Sequence, residues 1–109
     1  MTTATAAADV FRAIADPTRR ALLDCLLRSD RSVNELVGPF KMTRPAVSQH
    51  LRILREAGLV RAKRAGRRHV YRLDPRPLRS VFEWSQRYFT DPSGHVWAVR
   101  SVITTPRPG

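Results

Sequence analysis

The 109-residue chain carries 20 Lys and Arg against 9 Asp and Glu, a formal charge of +11 at pH 7. That length fits one domain with a modest core and argues against a catalytic unit joined to a separate regulatory one. The charge points to a polyanionic partner, nucleic acid or a membrane surface, yet no apolar run approaches the roughly 18–20 residues that cross a bilayer. The N-terminal Thr/Ala stretch lacks the basic n-region of a signal peptide, so a cytoplasmic location is expected. A single cysteine, Cys25, allows no internal disulfide, in keeping with a reducing compartment.

Ala7, Val10, Phe11 and Ile14 recur at helical spacing and predict a first amphipathic helix from about Thr5 to Ala15. Asp16 then suits an N-cap and Pro17 a first turn, so a second helix is expected over Pro17 to Arg28, with Leu22, Leu23, Leu26 and Leu27 in the core. Cys25, among those leucines, reads as a small buried hydrophobe, because no resolving cysteine or adjacent base accompanies it. Ser32-Val33-Asn34-Glu35 has the spacing of a capping box and opens a short third helix ending near Val37-Gly38, with Gly38 to Met42 as the turn.

Thr43 is a good N-cap, and Pro45 falls in the first turn, where backbone N–H groups have no partner within the helix. Val47, Leu51 and Leu54 share one arc of the helix so begun, Pro45, Ser48, Gln49, Arg52 and Glu56 lie on the other side, and Gly58 supplies the stop. Ile53 lies off the stripe and implies contact with a neighbouring element. After Gly58 the period changes: Leu59 to Arg64 and Arg68 to Leu73 read as strands of a hairpin around Ala65-Gly66-Arg67. His69, Tyr71 and Leu73 share one face of the second strand, and Arg68, Val70 and Arg72 the other. Asp74-Pro75-Arg76-Pro77 ends it. Leu78, Val81, Phe82, Ser85, Tyr88 and Phe89 form the stripe of a final helix, from which Trp84 lies away. Beyond Asp91-Pro92 the pattern fades, with room for a short strand or helix around Val96 to Ile103.

Helix, turn, helix and basic hairpin in that order make an α+β, mainly helical, winged helix-turn-helix with a two-stranded wing. Arg31 to Val37 is the supporting helix and Thr43 to Ala57 the reading helix. Between Lys41 and Leu73 stand ten of the 20 basic residues and one acid, Glu56, so the charge is concentrated on this unit. A major groove about 12 Å wide admits one helix, whose N-terminal half reaches base edges. Arg44 matches guanine O6 and N7, Gln49 matches adenine N6 and N7, and Thr43 and Ser48 suit a base or a phosphate. Arg52 is placed for phosphate; Pro45 stands beside these groups. At His50, on the edge of the apolar stripe, a packed histidine and a DNA contact both fit, and His69 suits a phosphate or a stack beside Tyr71. On the wing, Arg64, Arg67 and Arg68 can track the backbone or enter a narrow minor groove. A solvated charged face is the plain alternative for any basic helix, but it does not explain why caps, turn and hairpin arrive together. A membrane-surface helix would need Val47, Leu51 and Leu54 free to insert, and the core needs them. No carboxylate pair, phosphate loop or nucleophile with its base stands at meaningful spacing, so no catalytic residues and no enzyme are expected.

"ADPTRRALLDCLL", "SVNEL", "MTRPAVSQHLRILREAGLV" and "GRRHVYRLDPRPL" resemble successive blocks of the ArsR-type winged-helix repressors, particularly the SdpR-like autorepressor branch, over about residues 9 to 89. The resemblance implies a homodimer that binds a roughly palindromic operator through the helix beginning at Thr43 and represses transcription. It also implies a dimer interface on the first and last helices. Phe11, Ile14, Phe82, Tyr88 and Phe89 are the candidates, offering more apolar surface than those helices can bury alone. The third-helix cysteine pair of the family's arsenic and cadmium sensors has no counterpart in "SVNELVGPF". The last-helix cluster of its zinc sensors is also missing: Arg79, Glu83 and Arg87 are poor substitutes, and only Asp91 and His95 come near. No metal site and no cofactor are therefore expected. The expectation is a sequence-specific double-stranded DNA-binding repressor acting by operator occlusion, with residues 1–90 as the DNA-binding and dimerisation domain and 91–109 as a partly flexible C-terminal extension. The rivals are a metal- or ligand-responsive repressor with an unrecognised effector site, a general architectural or RNA-binding protein, and an interaction module.

Overall fold

Asp16 and Pro17 turn the chain between its first two helices, and the local chemistry shows how. In the computed structural model, which describes residues 3–89 with side chains from Ala7, α1 spans Thr3–Ile14 and α2 spans Pro17–Arg28. Asp16 accepts from the Arg19 amide at 3.0 Å as the N-cap of α2. The same turn closes α1, whose last carbonyls lack helical donors: Arg19 Nε donates to Ala13 O at 2.7 Å and Arg20 Nη1 to Ile14 O at 2.7 Å.

A two-residue strand follows, β1 (Arg31–Ser32), then α3 (Val33–Phe40) and α4 (Arg44–Glu56). The capping box is formed in full: Ser32 Oγ accepts from Glu35 N at 3.3 Å, and Ser32 N donates to Glu35 Oε1 at 3.0 Å. The third helix runs through the Gly38-Pro39-Phe40 stretch expected to be a turn, and stops only at Lys41, whose φ of 51° is left-handed. Pro39 falls in the last turn. There Leu36 is fully buried on one side, and Phe40 packs on the core beyond, so continuing the helix is worth more than the bond Pro39 cannot donate.

The hairpin is β2 (Val60–Ala65) and β3 (Arg68–Leu73), paired antiparallel from Val60↔Leu73 to Ala65↔Arg68, with Gly66 at φ 65° in its turn. Among the described residues β1 joins the two-stranded wing to make a three-stranded sheet in the order β1-β3-β2, because Arg31 pairs with Tyr71 and Ser32 with Val70. A two-residue strand has no periodicity to betray it. After a 3₁₀ turn at Arg76–Leu78, α5 runs over Arg79–Gln86 and a second 3₁₀ turn over Arg87–Phe89. The expectation for Val96 to Ile103 lies outside the described residues.

Val10, Ala13, Leu22, Leu23, Leu26, Leu36, Val47, Leu51, Leu54, Leu59 and Val60 form one core to which four helices and the root of the wing contribute. Leu27, expected there, is instead 72% exposed. The reason is angular: it lies about 120° from the centre of the arc defined by Leu22 and Leu26, whereas Leu23 lies about 80° away and is still covered. Cys25 is half-buried against the core. Ile53, off the stripe of α4, is partly buried against the core and borders a small hollow shared with Asp9 and Arg12 of α1. Among the described residues no helix is long and apolar enough to cross a membrane.

Candidate nucleic-acid interface

α4 is fixed by one buried face and by both of its ends. Val47, Leu51 and Leu54 are completely buried, which leaves Thr43, Arg44, Pro45, Ser48, Gln49 and Arg52 on the outer face, all exposed. Thr43 Oγ1 accepts from Ala46 N at 3.3 Å, with Pro45 in the first turn, so the helix starts at Arg44. At the other end Gly58 adopts φ 79°, and the Leu59 amide bonds back to Leu54 O at 2.9 Å. That turn sends the chain into β2.

The wing rises beside the helix. Glu35, Arg44, Ser48, Arg67, Arg68 and Tyr71 line one open groove between the start of α3, the first turns of α4 and the hairpin. Of the cations here, Arg44 and Arg67 have no carboxylate partner among the described residues. Arg64 Nε reaches only Gly66 O across the hairpin turn, at 3.2 Å. Arg52 pairs with Glu56 at 3.3 Å, an exposed i,i+4 contact of little energy that phosphate can displace. Arg68 donates to Glu35 Oε1 at 2.7 Å. His50 is half-buried, its Nδ1 3.4 Å from Arg19 Nη1, so it ties α4 to the α1–α2 corner. His69 is exposed on the wing, while Tyr71 packs on the core.

The root of the wing is fastened by a buried carboxylate. Asp74 accepts from Arg61 Nε at 3.1 Å and from Arg76 at its amide (3.1 Å), Nε (2.9 Å) and Nη2 (2.7 Å). The Arg76 side-chain bonds hold its pKa well below the usual carboxylate range, with smaller help from the Arg76 amide and Arg61 against the effect of burial. Arg72 pairs with Asp30 at 3.4 Å across to the loop before β1. These contacts escaped sequence reasoning, which saw Asp74 only as the end of a strand; the Asp-x-Arg spacing was the available signal.

Residues 16–62, from the cap of α2 to the start of the wing, match the family model described as bacterial regulatory protein, arsR family. The chain is 42% identical over 80 residues to the HTH-type transcriptional regulator Rv2034 of Mycobacterium tuberculosis, covering 73% of this chain and 75% of that protein. The transcriptional repressor SdpR of Bacillus subtilis is 36% identical, over 70% of this chain and 84% of its own. The chain belongs to the bacterial ArsR family. A crystal structure of an ArsR family transcriptional regulator superposes with a TM-score of 0.72 at 32% identity, covering 80% of this chain and 90% of that one. This ArsR-family chain is thus a winged helix-turn-helix transcriptional regulator that binds DNA, and is not an enzyme.

This regulator also exposes aromatic surface. Trp84, which the sequence set apart, packs edge-on between Phe11 and Tyr88, with both ring centroids at 5.3 Å. Phe82 is 61% and Tyr88 68% exposed, whereas Ile14, Phe11 and Phe89 are half-buried. Among the described residues no group of three His, Cys, Asp or Glu side chains can hold a metal ion, and Asp91 and His95 lie outside them.

Proposed function

We propose that the chain is a cytoplasmic homodimeric repressor that occludes a roughly palindromic operator, with residues 1–90 as the DNA-binding and dimerisation domain and 91–109 as an extension to it. The observation that carries this reading is the shared groove: Arg44 and Ser48 of α4 and Arg67 and Arg68 of the wing border one open surface, while the leucines of α4 are sealed in the core. Arg44, Ser48 and Gln49 reach base edges in the major groove, with Thr43 and Pro45 at the mouth and Arg52 on a phosphate. Arg64, Arg67 and Arg68 follow the backbone from the wing, and His50 sits at the inner edge of this footprint, braced by Arg19. A dimer through the Phe11, Ile14, Phe82, Tyr88 and Phe89 surface, with Trp84 at its centre, presents two such helices to half-sites about 34–36 Å apart where these are one turn apart.

Selection of duplexes from a randomised pool by the full chain, followed by titration, tests it. Arg44→Ala is expected to relax preference at one base position at a cost of about 1–3 kcal/mol, whereas Arg67→Ala weakens all sequences alike. A protein that binds scrambled and selected duplexes equally well is an architectural binder, and that outcome refutes the reading.

A further inference from the structure

Of the three wing arginines on the DNA face, Arg68 already holds a carboxylate. Its partner, Glu35, lies on α3, and the same Oε1 that takes Arg68 Nη2 at 2.7 Å also accepts the Ser32 amide at 3.0 Å. The bonds from Ser32, its amide before its hydroxyl, keep the Glu35 pKa below the ordinary value, with Arg68 adding to them, so the group stays ionised. Both side chains border the groove that contains Arg44, Ser48 and Arg67.

A fixed negative charge beside a surface meant for phosphates opposes binding. The capping box does not require it, because glutamine at the same position accepts the same amide. What the charge adds is its grip on Arg68. The pair is 62% and 46% exposed, which leaves it open to exchange with an outside anion.

We infer that Glu35 is a specificity-determining residue: it withholds Arg68 from the phosphates of a loosely docked duplex and yields it only when base contacts hold a phosphate in register against the wing. This rests on the DNA-face reading above. Binding without base contacts is almost wholly release of counterions, and such a duplex is spread over many registers, so a phosphate lies against Arg68 in only a fraction of them and on average does not outcompete the charge-assisted bond to Glu35. When α4 is seated on its site the phosphates take fixed positions, and one can replace Glu35 as the partner of Arg68.

The test measures the slope of log affinity against log salt for the full chain on two labelled duplexes, one selected by the wild-type protein from a random pool and one a scramble of it. Glu35→Gln keeps the cap and removes the charge. On the scrambled duplex its slope is expected to steepen by about 0.9 and its affinity to rise several-fold, with the slope on the selected duplex unchanged. Arg68→Ala, an exposed strand position that leaves α3 intact, gives the reciprocal: a slope shallower by about 0.9 on the selected duplex and unaltered on the scramble. In the double variant the scrambled-duplex slope returns to the wild-type value. Equal shifts on both duplexes, or no shift with either variant, overturn the inference. Arg44→Ala separates the two levels: loss of sequence preference there, with no effect of Glu35→Gln, rejects the role of Glu35 alone, whereas an inert Arg44→Ala rejects the DNA face and this inference with it.

Discussion

Asp74 is 8% exposed, and its two oxygens take four hydrogen bonds from two arginines on either side of the wing's root. Because its folded pKa is depressed, the carboxylate contributes stability that is fully present above its unfolded value of about 4 and is lost as pH falls below that toward the folded value. Thermal melts followed by circular dichroism are expected to show the wild-type midpoint dropping as pH goes below about 4. Asp74→Asn should melt lower at neutral pH and depend less on pH in that acid window, since it has no proton to gain. A variant with the wild-type acid limb would show that other carboxylates dominate it. The Asp-x-Arg spacing announces the Arg76 half of this knot, but neither the reach of Arg61 nor the Glu35–Arg68 pair follows from spacing. Glu35 and Arg68 lie 33 residues apart, and a helix-capping residue carries no sign that it also faces a wing.

Helix starts were legible because they are local chemistry. Asp16, Ser32 and Thr43 each accept the amide expected of an N-cap, and α4 begins one residue after Thr43. Thr43→Ala removes an acceptor for the Ala46 amide and should cost about 1 kcal/mol, measured by urea denaturation; an unchanged midpoint would mean that water replaces the hydroxyl fully. Helix ends and short strands were less legible. Gly38-Pro39 has the composition of a stop, yet α3 continues to Phe40 because that ring packs on the core, and β1 exists because β3 offers Tyr71 and Val70 as partners. In each case a contact made far along the chain outweighs a local preference.

At the scale of the molecule the proposed repressor divides binding and assembly between the basic groove and the aromatic surface. Phe82 and Tyr88 are exposed, and Trp84 joins Phe11 of α1 to Tyr88 beside α5, so the two helices present one apolar face. Changing Phe82 to Asp and Tyr88 to Glu together should convert the species seen in sedimentation velocity to monomer and lower operator affinity strongly. The helical circular dichroism should stay unchanged, because neither side chain supports the monomer's core. A double variant that sediments as the wild type does would place the assembly surface elsewhere.

The sequence by itself determined the order of the helices and the hairpin, the caps that begin α2, α3 and α4, the buried arc of α4 and, by subtraction, its exposed face. Those follow from 3.6- and 2-residue periods and from side chains that bond within four residues of themselves. The fold alone decided the third strand, the inward brace on His50, the reach of Arg61 to Asp74 and the hold of Glu35 on Arg68. Each of these is a meeting of groups whose separation along the chain carries no period, so only the packing of the helices around their common core brings them within bonding distance.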